Sequence, residues 1–116
     1  MPRRYIPERG DIVWLSFQPQ AGRDQAGRRP GLVLSPAVYN AKVGLGLFCP
    51  ITSRVKGYPF EVRIPPGLAV GGVVLSDQVR SLDWRARRAE FASRLPALLV
   101  LEVLGKLDTL LSEDEA

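Results

Sequence analysis

The spacing of apolar runs limits this chain more than any other property. Strand-like stretches at Asp11 to Phe17, Pro30 to Ser35, Gly44 to Ile51, Pro59 to Ile64 and Gly71 to Ser76 are separated by glycine, proline or asparagine at short intervals. Strands so short and so close leave little room for helical crossovers, so a small barrel or a curled antiparallel sheet is expected rather than an α/β fold. Ile12/Val13/Trp14/Leu15 and Val73/Val74/Leu75 are apolar on both faces of their runs. One face is therefore expected to meet the core and the other a second element or subunit.

The period changes near the end of the chain. Val100, Val103, Leu104, Leu107, Leu110 and Leu111 fall on one helical face opposite Glu102, Lys106 and Thr109. Pro96 suits a first helical turn, so a C-terminal helix is expected to begin near it. Leu98 and Leu101 widen its apolar surface beyond a narrow stripe, which suits packing against both sheet and partner. With 116 residues, the expectation is one mainly β domain over residues 1–112, followed by a frayed acidic tail at 113–116. Gln18 to Arg29 holds Pro19, Gly22 and Gly27 but no large apolar side chain, and reads as a long exposed loop.

The formal charge is +4, yet Glu113, Asp114 and Glu115 sit at the extreme end, so residues 1–112 carry a net +7. A polyanion is the usual partner of such a surface, although solubility alone accounts for a modest positive charge. The single Cys49 lies in an apolar run and reads as a buried structural thiol, which points to a reducing compartment. Met1-Pro2-Arg3-Arg4 does not open a signal-peptide pattern, and the uncharged stretch Leu95 to Leu101 is too short for a bilayer. The expected location is the cytoplasm, with no membrane contact.

The chain has no histidine, which excludes a two-histidine ribonuclease mechanism. One cysteine and scattered carboxylates form no recognisable ligand spacing, so neither a metal nor a cofactor is expected. Arginine remains. In Gly27-Arg28-Arg29-Pro30 the proline restricts Arg29 to extended backbone, and a guanidinium so directed can clamp two phosphate oxygens. Thr52 follows the third run and places a hydroxyl at a sheet rim, by alternation on the face away from Leu45, Leu47, Cys49 and Ile51. Taken singly, either residue is equally well an ordinary surface side chain. A second basic region, Arg80, Arg85, Arg87, Arg88 and Arg94, has Trp84 in its middle. Arginines beside an aromatic suit single-stranded RNA, where unpaired bases stack; a core tryptophan under a basic strand suits the same sequence.

Read together, these pieces resemble the MazF/PemK family of toxin ribonucleases. The blocks are Arg4-Tyr5-Ile6-Pro7, Gly10-Asp11-Ile12-Val13-Trp14, Gln25-Ala26-Gly27-Arg28-Arg29-Pro30, Val33-Leu34-Ser35-Pro36, Tyr39-Asn40, Lys56-Gly57-Tyr58-Pro59-Phe60-Glu61-Val62, Asp77-Gln78-Val79-Arg80-Ser81 and Trp84-Arg85-Ala86-Arg87. They occur in family order with nearly family spacing from Arg4 to about Arg87.

The resemblance implies a mainly β fold, a curled antiparallel sheet or SH3-like barrel with a C-terminal helix, and a homodimer that cleaves single-stranded RNA by attack of the RNA's 2′-hydroxyl, leaving a 2′,3′-cyclic phosphate and a 5′-hydroxyl. It places the catalytic residues at Arg29 and Thr52, with Asp24 where relatives often carry an acid in the same loop. Arg28, Lys56, Gln78, Arg80 and Arg85 are the corresponding candidates for RNA contacts. A guanidinium stays protonated and makes a poor general base, so charge stabilisation is the role expected of Arg29. The resemblance further implies an acidic antitoxin laid across the basic groove. A CcdB-like gyrase poison and a non-catalytic RNA-binding module are the alternatives that fold alone does not separate.

Overall fold

The computed structural model describes residues 4–16 and 27–113. Seven strands and two helices follow in order: β1 (Asp11–Ser16), β2 (Arg28–Val33), α1 (Ala37–Val43), β3 (Leu45–Thr52), β4 (Glu61–Arg63), β5 (Val73–Leu75), β6 (Arg80–Asp83), β7 (Glu90–Arg94) and α2 (Ala97–Leu111). All pairings are antiparallel, in the order β4-β5-β3-β2-β1-β7, and β6 also pairs with β3. The result is a mainly β fold, a curled antiparallel sheet with a C-terminal helix.

Both faces of this sheet are covered, as the two-sided apolar runs require. Ile12, Leu32, Cys49 and Ile51 share one buried cluster with Val100 and Val103 of α2. Val13, Leu15, Val33 and Phe48 point the other way and pack with Leu82 and Trp84. Period-two alternation thus feeds two cores from the same strands.

β2 begins two residues before the expected Pro30, because β1 runs on to Ser16 and its ladder pairs Ser16 with Arg28 and Leu15 with Arg29. Arg28 and Arg29 therefore stand in a strand and not in the loop to which the sequence assigns them. Asp24, Phe17 and most of that loop lie outside the described residues, as do 114–116 of the acidic tail. Helix α1 is not expected from the sequence. Its seven residues end at Gly44, whose φ of 83° closes the turn, and they bury Asn40.

Asn40 accepts from Ser35 Oγ at 2.6 Å and donates to the carbonyls of Pro7 (2.7 Å) and Ser35 (3.1 Å). Its own carbonyl receives Trp84 Nε1 at 3.1 Å. Trp84 is 4% exposed, so of the two readings open for it the core is the one observed.

Helix α2 starts directly after Pro96, as expected. Val100 and Val103 are buried, and Leu104 and Leu107 pack partly against the core. Leu110 and Leu111, expected on the buried face, are 53% and 73% exposed, because the last turn has no sheet of this chain beneath it. Leu98 and Leu101 are also exposed. Among the described residues, no helix is long and apolar enough to cross a membrane.

Candidate active site

Strand β3 changes partners along its length, and that change builds the site. From Leu45 to Phe48 it pairs with β6; at Ile51 and Thr52 it pairs with β5; between these, Phe48 to Pro50 pair with β2. The β2–β3 ladder runs from Val33 and Phe48 to Gly31 and Pro50 and stops two residues short of Arg29 and Thr52. Antiparallel pairing brings these two residues, 23 positions apart in sequence, to the same end of the sheet.

Arg29 and Thr52 line one cleft of about 360 Å³, together with Trp14, Pro30, Ile51 and Ala69. Arg29 is exposed, and its Nη1 donates to the Arg28 carbonyl at 3.0 Å. Thr52 is half-buried, and its Oγ1 accepts the Arg54 amide at 3.1 Å, which fixes the hydroxyl's direction. Gly72, with a φ of +106°, presses against the Thr52 carbonyl where a β-carbon has no space. Thr52 is thus held by its ladder to Val73, by its bond to Arg54 and by close contact with Gly72. Leu45 and Leu47, read as sharing a face with Cys49 and Ile51, are 36% and 38% exposed, so that face is covered only in the second half of β3.

Thr52 is also a wall of a second cleft of about 410 Å³, lined by Arg54, Lys56, Tyr58, Glu61 and Gln78. Both carboxylate oxygens of Glu61 accept backbone N–H groups, from Lys56 at 3.0 Å and Gly57 at 3.1 Å, so this acid shapes the loop. Tyr58 Oη donates to Asp77 at 2.6 Å, and that bond pushes its pKa up. The two clefts join at Thr52, with the expected pair on one side and Lys56 and Gln78 on the other.

The other basic candidates stand elsewhere. Arg80 is exposed on β6 opposite Phe48, and Arg85 lies over the Trp84 ring at 4.8 Å; neither lines these two clefts. Arg28 is engaged within the fold. Its Nη1 donates to the Arg87 carbonyl at 3.0 Å and to Ser16 Oγ at 3.4 Å, and its Nη2 reaches the Trp14 carbonyl and Glu90 at 3.4 Å. Only 13% of its side chain is exposed.

Two residues of the clefts were not singled out from sequence. Arg54 adds a cation two residues from Thr52, a signal present in the charge pattern. Trp14 is 37% exposed beside Arg29, although its apolar neighbours in β1 are fully covered. Cys49 is fully buried, and burial pushes its thiol up to about 12, which makes it a packing residue. Among the described residues, no group of three or more Cys, Asp or Glu side chains comes together that could hold a metal ion.

Comparison with known proteins gives a consistent answer. The family described as PemK-like, MazF-like toxin of type II toxin-antitoxin system matches residues 8–111. The endoribonuclease toxin MazF of Escherichia coli K12 is 52% identical over 89 residues, which are 77% of this chain and 79% of that protein. A MazF crystal structure from Deinococcus radiodurans is 60% identical with a TM-score of 0.84, covering 93% of this chain and 98% of that one. A MazE-MazF crystal structure from the same organism is 54% identical with a TM-score of 0.85, covering 96% and 100%.

Proposed function

This chain belongs to the PemK-like, MazF-like toxin family of type II toxin-antitoxin systems, and from that premise we propose that it is an endoribonuclease that cleaves single-stranded RNA without a metal ion. The observation that carries the reading is the convergence of Arg29 and Thr52 on one exposed cleft. Two residues that mean little singly become a candidate phosphate site when the fold brings them to one cleft.

In the proposed reaction the substrate supplies its own nucleophile. The ribose 2′-oxygen bonds to the adjacent phosphorus, the bond from phosphorus to the 5′-oxygen breaks, and the 2′ proton is passed on as the 5′-oxygen takes one up. The products are a 2′,3′-cyclic phosphate and a 5′-hydroxyl. Arg29 offers planar donors to the equatorial oxygens as negative charge builds on them. Thr52, its hydroxyl oriented by the Arg54 amide, donates to a phosphate oxygen and aligns the sugar. Alignment and charge stabilisation suffice for a large acceleration, so no histidine is needed. Asp24 lies outside the described residues; its proposed part is to orient an arginine or take up the proton.

Arg54, Lys56 and Gln78 continue the cleft beyond Thr52 and are proposed to hold the RNA backbone on that side, with Arg80 and Arg85 steering from outside it. The MazE-MazF structure with which the chain aligns supports an antitoxin as its protein partner, and the net +7 of residues 1–112 supports an acidic one. The exposed Leu98, Leu101, Leu110 and Leu111 support a homodimer that covers them, built from one toxin domain per chain; the single buried, free Cys49 supports residence in the reducing cytoplasm.

The test is digestion of mixed-sequence RNA by purified protein in EDTA, with chemical analysis of the new ends. Cyclic 2′,3′ ends and 5′-hydroxyls are expected, and Arg29→Ala is expected to lose at least about 10²-fold in rate while folding normally. Intact RNA throughout, or free 3′-hydroxyl ends, would defeat the proposal.

A further inference from the structure

A third cleft adjoins the first, on the side away from Lys56. It measures about 500 Å³, is lined by Trp14, Arg28, Ala69, Glu90, Phe91 and Ala92, and shares Trp14 and Ala69 with the Arg29/Thr52 cleft. The ladder explains the continuity. Trp14 of β1 stands directly opposite Glu90 of β7 on one side and Pro30 of β2 on the other, so Glu90, Trp14 and Pro30 form one row on one face of the sheet.

Two properties of this row have no structural purpose within the fold. Trp14 leaves 37% of its surface open at the junction of two clefts, whereas Trp84 is 4% exposed with its N–H satisfied. Glu90 is an acid on a basic surface and beside a proposed phosphate site, where a carboxylate repels the RNA backbone. Holding Arg28 does not account for it: that contact is long, at 3.4 Å, the Glu90 side chain is 74% exposed, and Arg28 already donates to the Arg87 carbonyl at 3.0 Å.

We propose that this cleft is a nucleobase subsite, in which Trp14 stacks the base beside the scissile phosphate and Glu90 selects a base bearing an exocyclic amino group. The proposal rests on the ribonuclease reading and deepens it. A carboxylate only accepts hydrogen bonds. It therefore pairs with the exocyclic amino groups of guanine, cytosine or adenine, whereas the one ring donor of uracil, N3–H, lies between two carbonyl oxygens that repel a carboxylate. Stacking on the indole is indifferent to base identity, so Trp14 supplies affinity and Glu90 supplies choice.

The experiment is to digest a randomised single-stranded RNA pool with wild-type protein, Glu90→Gln and Trp14→Leu, and to sequence the new ends. For wild type, uracil is expected to be depleted roughly tenfold at one position near the cut. Glu90→Gln carries both a donor and an acceptor and can pair with uracil, so it is expected to restore uracil at that position and leave the rest of the motif unchanged. Trp14→Leu is expected to raise KM roughly tenfold or more, with a smaller change in kcat. A 2′-O-methyl oligonucleotide, which binds without being cut, is expected to quench tryptophan emission in wild type and not in Trp14→Phe. A wild-type profile tolerant of uracil at every position, or a Glu90→Gln profile identical to it, overturns the subsite while leaving the nuclease reading intact. RNA uncut by the wild type overturns the nuclease reading itself, and the subsite with it.

Discussion

Gly72→Ala tests whether the contact between β5 and β3 holds Thr52 in its working position. At Gly72 the backbone has a φ of +106°, and a β-carbon there would overlap the Thr52 carbonyl oxygen and come within 2.9 Å of its carbon. An ordinary contact needs at least 3.4 Å, so one strand must give way. Gly67 is the control, since its φ is +97° but nothing lies within 4 Å of a β-carbon there. The backbone strain common to both costs about 1–2 kcal/mol. Forced displacement in a packed region adds about 1–3 kcal/mol, so Gly72→Ala should lose about 2–5 kcal/mol and Gly67→Ala only the first part. At about 4 °C per kcal/mol for a domain of this size, melting should fall by about 8–20 °C against about 4–8 °C. The two variants must be melted at the same protein concentration, because association shifts the midpoint. A displacement of about 1 Å at Thr52 should also lower cleavage by about 10²-fold at a temperature where both variants are folded. Equal melting losses would refute the steric argument, and full activity in folded Gly72→Ala would remove the position of Thr52 from the mechanism.

The remaining predictions separate structural from functional side chains. Arg28→Ala should cost about 1–3 kcal/mol in urea denaturation, because it removes the charge-assisted bonds of the guanidinium to the Arg87 carbonyl and Ser16 Oγ; unchanged stability would free Arg28 for the RNA-contact role that the family resemblance implies. Asn40→Ala strips partners from Ser35 and Pro7 and should cost about 3 kcal/mol or more, whereas a loss below about 1 kcal/mol would show that water replaces those bonds. Burial raises Cys49 from 9.0 to about 12, so the folded state keeps its proton longer than the unfolded chain. Stability should then be intact below about pH 9 and fall as pH rises toward 12; Tyr5, also raised by burial and by its bond to Asp11, acts in the same direction. A stability curve that is flat over that range would contradict both shifts.

The strands that the sequence makes plain are those whose side chains are apolar on both faces. Ile12, Val13 and Leu15 serve two cores, and no alternative placement satisfies them all. What escapes is held by polar or short-range devices. Helix α1 rests on a buried asparagine, and Asn40 reads in sequence as a turn residue because asparagine favours turns where no tertiary partner exists. Strands β6 and β7 are hidden by their charges: Arg80 and Asp83 flank a single buried Leu82, so the run looks like a basic surface patch when it is also a ladder. Burial of Leu110 and Leu111 fails as an expectation for the opposite reason. Helical periodicity tells which side chains share a face, but it carries no information on where the sheet beneath that face ends.

The site poses a sharper version of the same problem, because its members are defined by register. From sequence alone Trp14 reads as one residue of a two-faced apolar run and Trp84 as the aromatic of a basic region, yet Trp84 is the buried one and Trp14 the more exposed. Trp84 is drawn inward by the Asn40 carbonyl, which satisfies its N–H, and it carries Arg85 on its ring. Trp14 belongs to the face shared with Glu90 and Pro30, at the end of β1 where the sheet is open. A shift of one residue in the β1–β7 pairing would turn Trp14 toward a different neighbour and dissolve the row. The bulge between Ile12 and Val13 prevents that shift from spreading along the strand: it lets Ile12 pair with Ser93 while Trp14 pairs with Glu90, so core packing and the cleft row are satisfied by one strand. Inserting an alanine between Glu90 and Phe91 should therefore leave β2 and β3 unaltered but move Glu90 one position away from Trp14. An insertion variant that folds and cleaves while losing only its preference at the adjacent base would separate the chemistry of the site from its selectivity.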